Sequence, residues 1–209
     1  MRKFLCAPIL ALAVGFAGMS QARAAVDTAT PDALIRTITT DVMNTVKSDP
    51  TLQSGDTNQI IKLVNQKILP YTDFQRTTQL VMGRYWRQAT PEQRQQIAEQ
   101  FKLLLIRTYS GAIAQVRNQQ INYLPFRAAA DATDVVVRTQ VMNQGNQMEL
   151  DYRLEKTGSG WKVYDLNVLG AWLIQAYQQQ FAEQIQKNGV QGLVQFLTDR
   201  NQQLAQGKS

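Results

Sequence analysis

The chain has 209 residues, with 22 Lys and Arg, 16 Asp and Glu, one cysteine and no histidine. This length suffices for one domain with a buried core. Without histidine the chain cannot form a Ser-His-Asp triad or a histidine-ligated metal site, and we expect no metal ligands. Any enzyme would have to rely on carboxylates, lysine, tyrosine or serine.

The N-terminal segment has the three-part pattern of a secretory signal peptide. Arg2 and Lys3 precede an apolar stretch at 4–17, and small residues end the segment at Ala24. The apolar stretch is too short to remain in a bilayer as a span. We therefore predict that residues 1–24 are a signal peptide cleaved after Ala24, and that residues 25–209 form one exported domain.

The predicted cleavage changes the composition in two ways that bear on function. It removes Cys6, the only cysteine, which suits an oxidising compartment where a free thiol is a liability. It also removes three basic residues and no acidic one, so the mature net charge is below the +6 of the full chain. A weakly basic chain without a basic run is a poor candidate for nucleic-acid binding.

The first half of the mature sequence has the apolar spacing of amphipathic helices. Apolar residues recur every three or four positions, and Thr90–Gln93 has the residues of a capping box with proline in the first turn. A helix from 91 to 116 would be about 39 Å long, enough to cross a sheet. The predicted helices cover residues 31–48, 60–69, 73–82 and 91–116.

The apolar spacing then changes to every second residue, which predicts strands. Short glycine-containing connections predict an antiparallel meander. Helical spacing returns after Gly170 and breaks at Gly189, and the polar residues 201–209 predict a frayed tail. The predicted strands cover residues 121–127, 135–141, 148–155 and 161–168. This order predicts an α+β fold, in which a curled antiparallel four-stranded sheet packs against several helices.

Asp165 is the main candidate for acid–base chemistry. Other strand acids such as Glu149 and Asp151 belong to an alternating polar face, which is typical of solvated side chains. Asp165 lies between Tyr164 and Leu166 in a strand that should be buried, and a buried acid needs a partner. We expect a structural carboxylate held by arginine or backbone N–H groups. The alternative is a hydrolase of wall glycan, which requires a second acid in the same cleft.

The run Arg84–Arg87 alternates two arginines with a tyrosine and a tryptophan. Such a cluster can bind a phosphate or an acidic partner. It can equally form cation–π contacts between helices. The sequence leaves both interpretations open.

Several motifs along the chain occur in the order that is typical of one known family. They are Ile68–Tyr71, Leu80–Arg87, Ala89–Arg94, Arg107–Tyr109, Asp151–Leu154, Trp161–Asp165 and Gly189–Leu193. From about residue 31 to residue 200 the chain resembles the MlaC family, also called the toluene-tolerance auxiliary family. Its members are periplasmic phospholipid-binding proteins of the pathway that maintains outer-membrane lipid asymmetry.

The resemblance implies that the sheet and its helices enclose an apolar cavity. The acyl chains of a phospholipid would enter the cavity, and the head group would stay near solvent. It also implies a monomeric periplasmic shuttle rather than an enzyme, with phospholipid as cargo and no cofactor. The implied partners are an outer-membrane lipoprotein–porin complex and an inner-membrane ABC transporter complex with a lipid-binding hexamer.

Apolar residues on the predicted dry faces are the candidates for lipid contact, with ordinary core packing as the alternative for each. They are Leu80, Val81, Phe101, Leu105, Tyr109, Val137, Val141, Leu150, Tyr152, Leu166 and Trp172. Three basic residues are the candidates for contact with a partner or the head group, namely Arg84, Arg87 and Arg94.

The segment around Gly170 departs from the family it resembles. The family often has an acidic residue before this glycine and Val-Ser after it, whereas this chain has Leu169 before it and Ala171–Trp172 after it. A tryptophan there would narrow or reshape the cavity.

The alternative function is an exported adaptor or chaperone that binds a partner helix in the same apolar groove.

Overall fold

The computed structural model describes residues 29–143 and 145–207. The predicted signal peptide and its cleavage site after Ala24 lie outside the described residues. The α-helices are α1 (Pro31–Ser48), α2 (Pro50–Gln53), α3 (Thr57–Lys67), α4 (Phe74–Met82), α5 (Pro91–Gln115) and α6 (Leu173–Ala205). The strands are β1 (Gln120–Tyr123), β2 (Asp134–Asn143), β3 (Asn146–Thr157), β4 (Gly160–Val168) and β5 (Ala171–Trp172). Short 3₁₀ segments follow three helices at Leu69–Tyr71, Gly83–Gln88 and Val116–Asn118.

The strands form one open antiparallel sheet in the order β1-β2-β3-β4-β5. The predicted α+β class and antiparallel meander are therefore confirmed. Arg153 pairs with Asp165 and Leu154 pairs with Val163, so Tyr164 is an extra residue in β4. A bulge of this kind bends the strand and increases the local twist of the sheet.

β1 is shorter than the predicted strand at 121–127. The N–H of Leu124 still donates to the carbonyl oxygen of Arg138, at 3.1 Å. The next residue, Pro125, has no N–H to donate, so the ladder cannot continue through it.

The sequence predicts four strands, and the strand that it misses is β5. This two-residue strand is joined to β4 by Leu169 and Gly170, whose φ angles are 54° and 85°. Two left-handed residues in succession form the tight turn that suits a two-residue hairpin. Leu-Gly is not a usual signal for this turn, and the helical spacing that starts at Trp172 conceals so short a strand.

The capping box predicted at the N-terminus of α5 is present. The side chain of Thr90 accepts from the N–H of Gln93 at 3.2 Å, and the side chain of Gln93 accepts from the N–H of Thr90 at 3.0 Å. Both bonds of a capping box satisfy N–H groups that the first turn of a helix leaves without partners. α5 therefore begins where the sequence predicts.

α6 bends at Gly189, where φ is 68° and ψ is −179°. Phe181, before the bend, packs on Phe101 with ring centroids 5.0 Å apart. Asn201, after the bend, donates to the carbonyl oxygen of Gln100 at 2.8 Å. Because Gln100 and Phe101 are adjacent in α5, both arms of α6 contact the same part of that helix.

The predicted frayed tail from residue 201 is wrong. The helix continues to Ala205, and Asn201 is buried. The carbonyl oxygen of Asn201 accepts from Arg107 at 2.8 Å, and its side chain bonds to Gln100. These contacts with α5 hold a segment that is polar in sequence.

The buried apolar side chains form separate clusters. The α5–α6 cluster joins α4, α5 and α6, and its most enclosed members are Ile97, Phe101, Phe181, Leu193 and Leu197. The α1–α3 cluster joins α1, α2, α3 and α5, and its most enclosed members are Val46 and Ile60. The sheet cluster joins α1 to β2, β3 and β4, and its most enclosed members are Leu34, Ile35, Val137 and Leu154.

The expected enclosed apolar cavity is not found within the described part of the chain. Two depressions in this part of the chain hold about 270 and 400 Å³, and both are open to solvent. One lies beside Leu124–Arg127 and the other beside Pro31 and Trp161. The apolar clusters in this conformation pack closely enough to leave no sealed space for acyl chains.

Replacing Leu169 should stabilise the fold. Leucine in the left-handed region costs about 1–2 kcal/mol, whereas asparagine tolerates this conformation. The side chain is 71% exposed, so little packing is lost. We expect Leu169→Asn to raise the free energy of unfolding by about 1 kcal/mol in urea denaturation. Leu169→Ala keeps the Cβ and its strain, and should change stability by less than about 0.5 kcal/mol; equal effects of the two variants would contradict this account.

Candidate functional site

One face of the sheet, which we call the inner face, carries apolar side chains along its length. On β2 its members are Val135, Val137, Thr139 and Val141. The register places Leu154, Tyr152, Leu150 and Met148 of β3 opposite them. On β4 its members are Val163, Leu166 and Val168. Side chains alternate along a strand, so the polar residues between these positions lie on the opposite, outer face.

Exposure of the inner face increases along β3 and β4 toward the two hairpin turns at 143–146 and 169–170. On β4, Val163 is buried, Leu166 and Val168 are half-buried, and Leu169 is exposed. β3 changes in the same direction, from buried Leu154 to half-buried Met148. α1 covers the buried end of the sheet. The half-covered end therefore offers apolar surface for contact with another molecule.

α5 carries a second apolar surface that its neighbours cover only in part. Leu105 and Tyr109 are half-buried and Ala112 is exposed, and their spacing places them on one side of the helix. Half-buried Val116 continues this side into the 3₁₀ segment that follows. Burial raises the pKa of the Tyr109 hydroxyl. These residues, which we call the α5 stripe, reach from Leu105 at the α5–α6 cluster to Val116 at the α1–α3 cluster.

The two apolar surfaces belong to parts of the fold that are joined mainly through other helices. α5 packs chiefly on α3, α4 and α6, whereas the sheet packs chiefly on α1, α4 and α6. α1 contributes Ile38 to both the sheet cluster and the α1–α3 cluster. The α5 stripe and the half-covered end of the inner face together form the candidate site.

The structure divides the predicted lipid-contact residues into groups. Val137, Leu150, Tyr152 and Leu166 lie together in the sheet cluster, and Val141 is buried on the same face. Val81, Phe101 and Leu105 belong to the α5–α6 cluster instead. Tyr109 lies in the α5 stripe.

Phe101 and Leu80 occupy opposite environments. Phe101 has no exposed surface and is enclosed by the rings of Phe74, Tyr177 and Phe181, at centroid distances of 5.0–5.5 Å. Leu80 is 37% exposed on α4. In this conformation Phe101 acts as core, and the half-buried residues have more apolar surface to offer a ligand.

Trp172 lies apart from the other predicted lining residues. It pairs with Asn167, which places it on the outer face. The guanidinium of Arg153 stacks over its ring, 3.8 Å from the centroid. The expectation that this tryptophan narrows a cavity on the inner face does not fit this placement, because the Leu169–Gly170 turn reverses the chain and sets the side-chain alternation of β5.

The predicted arginine candidates differ in their surroundings. Arg84 donates to the hydroxyl of Tyr85 at 2.9 Å and lies over its ring. Arg94 donates to the carbonyl oxygen of Trp86 at 3.0 Å and lies over the indole. Local cation–π packing therefore explains these two. Arg87 is exposed, and no ion pair or hydrogen bond joins its side chain to another described residue.

Asp165 is a structural carboxylate, as predicted. Its Oδ2 accepts from Arg153 at 3.0 Å, and its Oδ1 accepts from the N–H groups of Leu166 and Ile174 at 2.9 and 3.1 Å. The carboxylate has no exposed surface. Burial raises its pKa, against the opposing effects of the two N–H groups and Arg153. All of its contacts hold elements together, and none points to a hydrolytic site.

Apart from Tyr152, the residues that carry polar groups on or beside the inner face were not predicted as part of the site. Thr139 is fully buried, and its hydroxyl donates to the carbonyl oxygen of Leu150 at 2.7 Å. The hydroxyls of Tyr123 and Thr39 lie 2.6 Å apart and join β1 to α1. Burial raises the pKa of the Tyr152 hydroxyl. For Thr139, the sequence did contain a signal, since it is a threonine at a position that alternating valines occupy elsewhere in the strand.

Within residues 29–143 and 145–207, no cluster of three or more His, Cys, Asp or Glu side chains is suited to bind a metal ion. Among the same residues, no helix combines the length and the apolar character needed to cross a bilayer.

Comparisons with known proteins agree on one family. The family model described as MlaC protein matches residues 36–199. Toluene tolerance protein ttg2D of Pseudomonas putida is 29% identical over 161 residues, covering 77% of this chain and 75% of that protein. The intermembrane phospholipid transport system binding protein MlaC of Haemophilus influenzae is 20% identical over 176 residues, covering 82% of each.

A solved structure is similar over most of the described chain. It is the phospholipid-binding protein from Ralstonia solanacearum in complex with a phospholipid, at 1.53 Å resolution. The two chains are 58% identical with a TM-score of 0.81. The similarity covers 83% of this chain and 98% of that chain.

Removing the Asp165 carboxylate should destabilise the fold. Loss of one partner of a buried ion pair costs about 3–5 kcal/mol. Arg153 is 37% exposed, so solvent screens it and we expect about 2–3 kcal/mol for Asp165→Ala in urea denaturation. Asp165→Asn keeps an acceptor for the two N–H groups and should cost less. Wild-type stability of Asp165→Ala would contradict the structural role.

Proposed function

The chain belongs to the MlaC family, and from that premise we propose that it is a periplasmic carrier that binds phospholipid by its acyl chains. The observation that supports this most directly is the phospholipid bound to the Ralstonia protein, which is 58% identical to this chain. We also propose that residues 1–24 direct export and that residues 25–209 are the mature carrier. The carrier would move phospholipid between outer-membrane and inner-membrane complexes and so maintain outer-membrane lipid asymmetry.

We propose that the acyl chains lie between the α5 stripe and the inner face of the sheet. Leu105, Tyr109, Leu150 and Leu166 would contact them, since these residues are half-buried and border the space that we infer between the two surfaces. Val141 and Tyr152, which are buried on the same face, would line it as well. The polar head group would stay at the open end of the site, where water can solvate it.

The energetics of transfer favour a carrier with a simple apolar site. Burying one methylene from water is worth about 0.8 kcal/mol. Two acyl chains carry on the order of 30 methylenes, which would exceed the practical ceiling of about 18–21 kcal/mol for non-covalent affinity. A bilayer already shields these chains, however, so transfer from bilayer to protein is near balance. Such a carrier loads and unloads without a chemical step, and we propose no catalytic residue or cofactor.

Release into water is the costly route, so docking must supply a dry path for the lipid. We propose an outer-membrane lipoprotein–porin complex and an inner-membrane ABC transporter complex with a lipid-binding hexamer as the docking partners. The family supports this proposal, and the carrier would act as a monomer between them.

The direct test is to purify the protein from the periplasm, denature it in organic solvent and identify the released molecules by mass spectrometry. We expect stoichiometric phospholipid, because an isolated carrier has no dry path along which to lose its cargo. Protein without lipid that also fails to extract lipid from vesicles would contradict the proposal. The partner-helix adaptor would then become the leading function.

Filling the inner face should block loading. Leu150→Trp adds a bulky ring at a half-buried position of the proposed site, and we expect bound phospholipid to fall by more than about half, since an overpacked site cannot accept the same chains. The matched control is Glu149→Trp, because the adjacent residue points to the outer face and is exposed. Equal lipid content in both variants would contradict this placement of the acyl chains.

Reversing the charge of Arg87 should weaken docking without changing lipid content. Its exposed guanidinium has no described partner, and rim charges act mainly on association rate. We expect Arg87→Glu to slow capture by a reconstituted inner-membrane complex about threefold or more at low salt. Arg127→Glu, another exposed arginine, is the control. Unchanged capture by the Arg87 variant would remove this residue from the docking surface.

A further inference from the structure

Leu169 combines two features that local structure does not explain. It is 71% exposed, against 37% for Leu80, the other large apolar side chain exposed among residues 29–143 and 145–207. It is also the one non-glycine residue there with a positive φ. The turn conformation favours asparagine or glycine, and an exposed position favours a polar residue, yet the residue here is leucine.

The backbone holds this side chain in a defined position. The N–H of Leu169 donates to the carbonyl oxygen of Glu149 at 3.3 Å. Val168 pairs with Ala171, and Asn167 pairs with Trp172. Arg153 then stacks on Trp172. The leucine is therefore presented at the tip of a fixed hairpin.

The tip adjoins the apolar inner face. Exposure rises along β4 from buried Val163 to half-buried Leu166 and Val168, and the next residue, Leu169, is exposed. Val168 pairs directly with Leu150 of β3. The apolar path formed by these half-buried side chains therefore ends next to the tip.

The two hairpin connections at this end of the sheet carry no charge, since none of the residues at 142–148 or 168–171 is acidic or basic. The first charged residue along the chain from these connections is Glu149, which pairs with Gln140 on the outer face. The other end of the sheet carries Asp134, Glu155, Lys156 and Lys162. An apolar tip between uncharged turns can approach the interface of a bilayer while the Glu149 side chain stays on the outer, solvated face. A protein partner recognised by charge would find no charged group on the turns themselves.

We propose that Leu169 is a bilayer contact, which inserts among phospholipid acyl chains while the carrier takes up or releases its cargo. This inference rests on the proposed function and names the surface from which the cargo comes. Insertion of the tip places the end of the apolar path against the hydrocarbon region, so that an acyl chain can move along β4 with less exposure to water.

The test compares uptake of a fluorescent phospholipid from vesicles of phosphatidylethanolamine and phosphatidylglycerol. We expect Leu169→Asn to slow uptake roughly fivefold, because one apolar anchor is lost. Leu169→Met keeps both the strain and the apolar character, and should retain the wild-type rate. Ala130→Asn, an exposed change outside both turns, should also have no effect. Should Leu169→Asn fail to fold, Leu169→Gly replaces it, since glycine adopts the same turn freely.

Loading from detergent-dispersed phospholipid distinguishes a defect in bilayer contact at the tip from a defect in the lipid-binding site. Leu169→Asn should reach the wild-type lipid content in this assay, because no bilayer has to be touched. Wild-type uptake by Leu169→Asn from vesicles would overturn the bilayer contact and leave the proposed function standing. Normal vesicle uptake with slowed delivery to a partner complex would overturn it too, and would assign the tip to a protein. Failure of the wild-type protein to load from either source would overturn the proposed function and the tip with it.

Discussion

The placement of the helices relative to the sheet depends on the buried carboxylate of Asp165. It joins β3 through Arg153 and the start of α6 through the N–H of Ile174. Trp172, the N-cap of α6, offers no side-chain acceptor, so the carboxylate satisfies an N–H that the helix start would otherwise leave unpaired. α4 is attached to the same strand, since Thr77 donates to the carbonyl oxygen of Tyr164 at 2.6 Å and the N–H of Asp73 donates to that of Val163 at 2.8 Å. β4 thus holds both helices at one edge, and α5 reaches the sheet mainly through them.

This attachment has an energetic consequence for the proposed carrier, which opens and closes around its cargo. Each side of the candidate site has its own apolar cluster, one between α5 and α6 and one between α1 and the sheet. Moving the α5 stripe relative to the inner face leaves both clusters intact, so the apolar area newly exposed is smaller than the area buried within the clusters. The free-energy cost scales with that smaller apolar area. Incoming acyl chains would cover the same area, so the cost of opening is offset during loading.

Elements with a long, regular apolar spacing could be predicted from the sequence, and short or irregular ones could not. The capping box at Thr90 and the antiparallel order of β1 to β4 followed from spacing and turn residues alone. β5 did not, because two residues carry no period and because a leucine occupies its left-handed turn. The end of α6 did not either, since Asn201 is polar in sequence and becomes buried only through its bonds to α5.

The residues of the candidate site could also be predicted only in part from the sequence. Alternation identified Val137, Leu150, Tyr152 and Leu166 as one face, and the sheet cluster contains all four. Spacing on α5 could not separate Phe101, which is enclosed by aromatic rings, from Tyr109, which is half-buried. The difference between them is set by α6, which packs on one residue and leaves the other partly uncovered. Tertiary contacts of this kind are absent from the pattern of a single helix.

The two ends of the sheet differ in a way that determines where the molecule can open. At the charged end, Arg76 pairs with Glu155, and both oxygens of Asp134 accept from the hydroxyl of Tyr164 at 2.9 Å. Burial and this carboxylate raise the pKa of Tyr164 to about 12, so the hydroxyl remains a donor at neutral pH. Lys162 also donates to the carbonyl oxygen of Pro70 at 2.6 Å. Opening this end would break several polar contacts at once and leave charges without partners. The turns at the other end carry no acidic or basic residue, and the half-buried apolar side chains there are a surface that a lipid or a bilayer can cover, which favours opening of the proposed carrier at the end that carries Leu169.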